Sequence, residues 1–168
     1  NGVRRGRVES FFATLLWILE TRSRQELEQD THLLFLSTFR QIKYIFSQYQ
    51  RWTDEFFSIA PLQSNFLFNI YRLKFEDVQF IVVFYDAEQA KNIQSDEYAK
   101  ALYDEIFWQG IPVITVTQYA SAGNGVNLQY YQSEEHKQKN TETDYRNIHL
   151  LDSPYFFFGQ ADFQRNTI

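Results

Sequence analysis

The sequence has no cysteine and no methionine, and its 168 residues include only 3 prolines, 6 glycines and 3 histidines. Without cysteine there is no disulfide scaffold, no cysteine-ligated zinc or iron–sulfur centre and no thiol nucleophile. So few glycines and prolines leave no stretch rich enough in breakers to serve as an interdomain linker. Long apolar runs are missing as well: residues 11–19 are interrupted by Thr14 and flanked by Glu9 and Glu20, short of the roughly 20 residues that span a bilayer. Arg4, Arg5 and Arg7 lead into Glu9 and no small-residue cleavage site, so no secretory leader is read there. A cytoplasmic protein with no membrane partner is the expectation. Asn1 at the start and the lack of methionine are read as marks of a fragment of a longer chain. No basic run is present and the formal net charge is -5, so any nucleic-acid contact has to be local rather than driven by the overall field.

What is abundant is aromatic surface, 18% of the chain in 17 Phe and 11 Tyr, which supplies large units of area to bury. Hydrophobic residues at 44% and charged residues at 22% are ordinary globular usage and exclude disordered and collagen-like classes. The length suits one domain with a helical extension. Phe11, Leu15, Ile18 and Leu19 recur at helical spacing and predict a helix over residues 8–21. Residues 22–30 read as a solvated connector or a second short helix. Leu33, Leu34, Phe35 and Leu36 are a short buried strand, and Ser37 and Thr38 can cap the helix that Ile42, Ile45 and Phe46 mark through Tyr49.

Residues 66–73 alternate as a half-buried strand does, and residues 78–85 form a stronger apolar strand ended by Asp86. A helix marked by Tyr98, Leu102, Ile106 and Phe107 stops near Gly110 and Pro112, and residues 113–116 are again a strand. Gly123, Asn124 and Gly125 form a turn, residues 132–144 an exposed loop, and residues 148–151 a last buried strand. Alternating strands and helices predict an α/β fold with a mostly parallel sheet flanked by helices on both faces. Residues 1–30 are the extension and 31–168 the domain. Ligands of such sheets gather at the carboxyl ends of strands, here residues 37–41, 85–89, 117–127 and 152–155.

The segment from Val113 to Gln129 is the most distinctive. A strand runs straight into small residues at Ala120, Ala122, Gly123 and Gly125, which let a backbone approach a phosphate or ribose, and Ser121, Asn127 and Gln129 offer hydrogen bonds. By spacing alone this is a nucleotide-type element or an ordinary tight turn. Asp86 and Glu88 stand where catalytic carboxylates can, but also where acids favour a helix N-terminus. His32, His136 and His149 have no second ligand at metal spacing and read as a strand edge, a loop and a core hydrogen bond, so no metal site is expected. Ser37 and Ser121 lack a nucleophile-elbow setting. Tyr130 and Tyr131, and Tyr155 through Phe158, have no interleaved Lys or Arg and read as buried aromatics rather than base-stacking platforms.

Ala120, Gly123, Gly125, Val126, Asn127, Leu128 and Gln129 resemble motif V of the second RecA-like domain of superfamily 2 helicases and translocases, in the Ala-x-x-Gly-x-Gly-[Ile/Val]-Asn-Leu-Gln form. Leu36-Ser37-Thr38-Phe39-Arg40-Gln41 is similar to motif IV, and Asn147 through Pro154 resembles the strand that follows motif V. The resemblance spans roughly residues 33–154, with motif V its specific part. It implies a RecA-like lobe that shares ATP and magnesium with a missing first RecA-like domain and grips DNA or RNA.

By the same resemblance Gly123, Gly125, Asn127 and Gln129 approach the nucleotide, while Ser37, Thr38, Arg40, Gln41, Thr117 and Ser121 lie along the nucleic-acid path. Tyr119 departs from the family, where that position is commonly threonine or another small residue. No arginine-rich motif VI, phosphate-loop Gly-Lys-Thr or Asp-Glu box is present, so the chain alone is expected not to hydrolyse ATP. The competing expectation is a stand-alone nucleotide- or sugar-nucleotide-binding α/β domain, or a non-catalytic interaction module.

Overall fold

The computed structural model describes residues 2–27, 30–49, 57–62, 69–75, 77–120 and 128–152. The first helix, α1 (Gly2–Thr21), buries Phe11, Leu15 and Ile18 and leaves Leu16 and Trp17 exposed, as spacings of four and three place one stripe inward. After a single turn, α2 (Arg24–Leu27), the chain enters β1 (Thr31–Leu36), which is buried along almost its whole length. Helix α3 (Arg40–Tyr49) follows and buries Ile42 and Phe46, one turn apart. Strands β2 (Phe57–Pro61), β3 (Ile70–Phe75) and β4 (Val78–Phe84) are antiparallel neighbours, with Ile59 opposite Leu73 and Leu73 opposite Phe80. Pro61 is tolerated because β2 is an outer strand that need not donate a ladder bond there.

Two helices return the chain. Asp86 caps α4 (Ala87–Ser95) by accepting from the Gln89 amide at 2.8 Å, and Asp96 caps α5 (Glu97–Ile106) by accepting from the amides of Tyr98 and Ala99. Asp86 is therefore a helix cap rather than half of a catalytic pair. Gly110, at φ +71, turns the chain into β5 (Val113–Gln118). Beyond it, β6 (Gln129–Tyr130) and β7 (Thr143–Asp144) make a small antiparallel pair around α6 (Glu134–Gln138), and β8 (Asn147–Leu150) ends the described chain.

The main sheet has the order β2-β3-β4-β5-β1-β8, and β4, β5, β1 and β8 are parallel. Helices α1 and α3 cover one face, where Phe11, Phe46, Phe84, Leu34 and Val116 share a core. Helices α4 and α5 cover the other, packing Ile93, Tyr103 and Ile106 on Ile81 and Val83. This is the α/β class expected, a mostly parallel sheet with helices on both faces. Phe11, Leu15 and Ile18 of α1 pack in this same core.

Four expectations need correction. Of the strand expected over residues 66–73, residues 66–68 lie outside the described residues. The described strand is Ile70–Phe75, which continues past residue 73 and runs antiparallel to β4, because a short connection from residue 75 to residue 78 permits only a hairpin. A whole helix, Ala87–Ser95, precedes the one expected from Tyr98, since Ile93 is its one large buried apolar residue and no stripe announces it. Residues 132–144 are not a plain loop but hold α6 and lead into β7. The last strand, expected to be buried, is half exposed, with Ile148 62% and Leu150 63% exposed, and is outermost among the described strands.

Candidate functional site

Adjacent parallel strands β1 and β5 end together, Leu36 opposite Gln118. The chain leaves β1 toward α3 on one face, while the chain after β5 arrives at Leu128 and Tyr130, which pack with Leu33 on the other. Ligands of parallel sheets gather at such carboxyl ends. Asp152, just past β8, sits at this edge, bonded to Ser37. Its carboxylate accepts from the Ser37 amide at 2.7 Å, the Ser37 hydroxyl at 2.7 Å and Arg7 Nε at 2.8 Å. The Tyr119 hydroxyl donates to the Asp152 carbonyl at 2.9 Å, and its ring stacks on Phe35. Burial, then the Asp152 charge, pushes the Tyr119 phenol up to about 12, so it stays a donor at physiological pH. A backbone amide, a hydroxyl and a guanidinium thus converge on one anionic group.

The residues expected to touch nucleic acid divide. Ser37, Thr38, Arg40 and Gln41 lie together at this edge, with Thr38 Oγ1 accepting from the Arg40 amide at 3.3 Å and the Arg40 side chain exposed. Thr117 is at the same edge but 0% exposed, and among the described residues its hydroxyl has no hydrogen-bond partner. It does not meet solvent in this arrangement. Of the residues expected near the nucleotide, Gln129 starts β6 and donates to Asp144 at 2.8 Å. Ser121, Gly123, Gly125 and Asn127 lie outside the described residues, as do Tyr155 through Phe158. Arg7, Tyr119 and Asp152 were not expected as a set, since Arg7 and Asp152 are 145 residues apart.

At the amino edge lies a second polar centre, also not expected. His32 is 0% exposed and stacks on His149 at 5.2 Å, with His32 Nδ1 3.0 Å from His149 Nε2. His32 Nε2 is 3.2 Å from Asp30 Oδ2, and Arg22 Nε is 3.2 Å from the same oxygen. A carboxylate only accepts, so His32 Nε2 carries the proton, and the neutral ring then accepts from His149 at Nδ1. Burial outweighs the attraction of Asp30 and brings His32 down to about 4, and burial with Arg22 lowers His149. The two histidines are therefore a bonded pair, not solitary, and His32 is interior rather than at a strand edge. Beside Asp30 a cavity of about 380 Å³ is lined by Thr31, Trp108, Tyr130, His136 and Arg146.

No family model, curated protein or solved structure matches this chain. Among the described residues no three His, Asp or Glu side chains are grouped to hold a metal ion, and no helix is long and apolar enough to cross a membrane. The tyrosines expected to be buried are so: Tyr130 and Tyr131 are 5% and 8% exposed, with Tyr130 stacked on Phe107 at 4.7 Å.

Proposed function

We propose that the chain is the second RecA-like lobe of an ATP-dependent nucleic-acid helicase or translocase, contributing to ATP and nucleic-acid binding in the intact protein. One observation carries the reading: Leu36, in the motif IV-like segment, and Gln118, just before the motif V-like one, are partners on neighbouring parallel strands. The donors gathered there already satisfy an anion in Asp152, which is the chemistry a phosphate asks for. ATP and its magnesium supply the phosphoryl-transfer chemistry when held between this lobe and the missing first one. This chain's part is to present amide and hydroxyl donors and the exposed Arg40, and its Asp152 must yield to an incoming phosphate.

The test is a fluorescence-anisotropy titration of labelled single-stranded DNA and RNA across a salt series. Arg40→Ala is expected to weaken binding to every sequence alike and to reduce the log–log salt slope by about 1. No binding by the wild-type chain, or an unchanged slope, would contradict the assignment. The alternative, a nucleotide-type or non-catalytic interaction module, is favoured by the net charge of -5 and by the Asp152 carboxylate already bonded to the Ser37 donors. It predicts no oligonucleotide binding at any salt.

A further inference from the structure

We propose that the cavity at the amino edge of the sheet binds a small planar heteroaromatic anion that carries a ring N–H. This site lies at the opposite end of β1 from Ser37 and Asp152. The Val113 amide donates to the Asp30 carbonyl at 3.1 Å, while Thr31 Oγ1 accepts from the Arg146 amide at 3.0 Å and donates to the Tyr130 hydroxyl at 3.1 Å. These bonds tie the starts of β1, β5 and β8 to β6 around one space. Its volume is about 380 Å³, within the range of about 300–1,000 Å³ usual for small-molecule sites. Gly110, Gln132 and Arg146 in its lining are exposed, so a ligand can enter from solvent.

The lining specifies the ligand's chemistry. Phe107, stacked on Tyr130 at 4.7 Å, and Trp108, whose Nε1 donates to the Tyr131 carbonyl at 2.8 Å, present rings that are held in place. Rings already fixed lose little freedom when a flat guest packs against them. Asp30 also lines the cavity and is 5% exposed. Its Oδ2 serves both His32 and Arg22, whereas Oδ1 has no hydrogen-bond partner among the described residues and is left to accept from a guest's N–H. Arg22 already balances the Asp30 charge and Arg146 adds another guanidinium, so an anion is favoured over a cation. His136 Nδ1 is 2.6 Å from the Ser133 hydroxyl, which leaves Nε2, with the Gln132 amide, to meet the same anionic group. A purely apolar guest would desolvate Asp30 and Arg146 without replacing their water.

Indole-3-carboxylate, with its ring N–H and its carboxylate on different sides of a flat ring, is the probe. Calorimetry with the full chain is expected to show binding, and amide shifts are expected at Gly110, Gln132 and His136 but not at Ser37 or Arg40. Methylation of the indole nitrogen removes the donor to Asp30 and should weaken binding about tenfold. Indole itself, which lacks the carboxylate, should bind about tenfold more weakly too. Arg146→Gln, a change at an exposed side chain, should weaken indole-3-carboxylate about fivefold and leave indole unchanged. No binding of indole-3-carboxylate at millimolar concentration, or equal affinity for the methylated ring, overturns the proposal. Shifts confined to the carboxyl edge also overturn it, by placing the anion with Ser37 instead.

Discussion

Phe46→Ala is expected to lower the unfolding free energy by about 4 kcal/mol, the range for emptying a buried phenylalanine site. Phe46 is fully buried and its ring meets three others edge to face: Phe11 at 5.9 Å, Tyr71 at 5.3 Å and Phe84 at 5.2 Å. It therefore joins α1, α3, β3 and β4 through one side chain. The cavity cannot collapse easily, because three of its walls are aromatic rings fixed on separate elements. Phe46→Leu keeps most of the volume and should lose about 1.5 kcal/mol. Urea titrations read both, as a fall in midpoint at constant slope. A loss below about 1 kcal/mol for the alanine variant would mean that α3 does not dock as described. A domain whose total stability is about 5–15 kcal/mol would feel the larger loss severely.

Acid should weaken the fold well before carboxylates dominate. His32 has an unfolded value of 6.5 and a folded value of about 4, set by its burial. Above pH 6.5 it is neutral in both states and makes no pH-dependent difference. As pH falls from 6.5 to about 4, the unfolded chain takes up a proton that the native chain refuses, so unfolding becomes steadily easier. The integrated loss is about 3 kcal/mol, and His149, lowered in the same direction, adds to it. A pH series of urea titrations measures the slope, and His32→Gln should be less stable at neutral pH but flatter across this window. A wild-type stability constant over that interval would contradict the buried, neutral histidine pair.

Much of this architecture could be read in advance, and physics explains which parts. Strands β1, β4 and β5 are buried on both faces, so they show as continuous apolar runs. Helices α1 and α3 bury a stripe and show as a period. Helix α4 buries only Gln89 and Ile93 strongly, and the two-residue strands β6 and β7 are too short for any period. The two polar centres were invisible for a different reason. His32 and His149 lie 117 residues apart, and Ser37 and Asp152 lie 115 apart. Only the sheet order, which sets β8 against β1, brings either pair together. Single-residue chemistry gave no sign of it.

The proposed function requires that the carboxyl edge between β1 and β5 receive a phosphate-bearing ligand. Amide chemical-shift mapping during titration with a single-stranded oligonucleotide, repeated with ATP, addresses it most directly. Shifts are expected to concentrate at Ser37, Thr38, Arg40 and Gln41, with Tyr119 and Asp152 moving as the Ser37 donors change partner. Shifts confined to the amino-edge cavity around Asp30, His136 and Arg146, or none with either ligand, would contradict it.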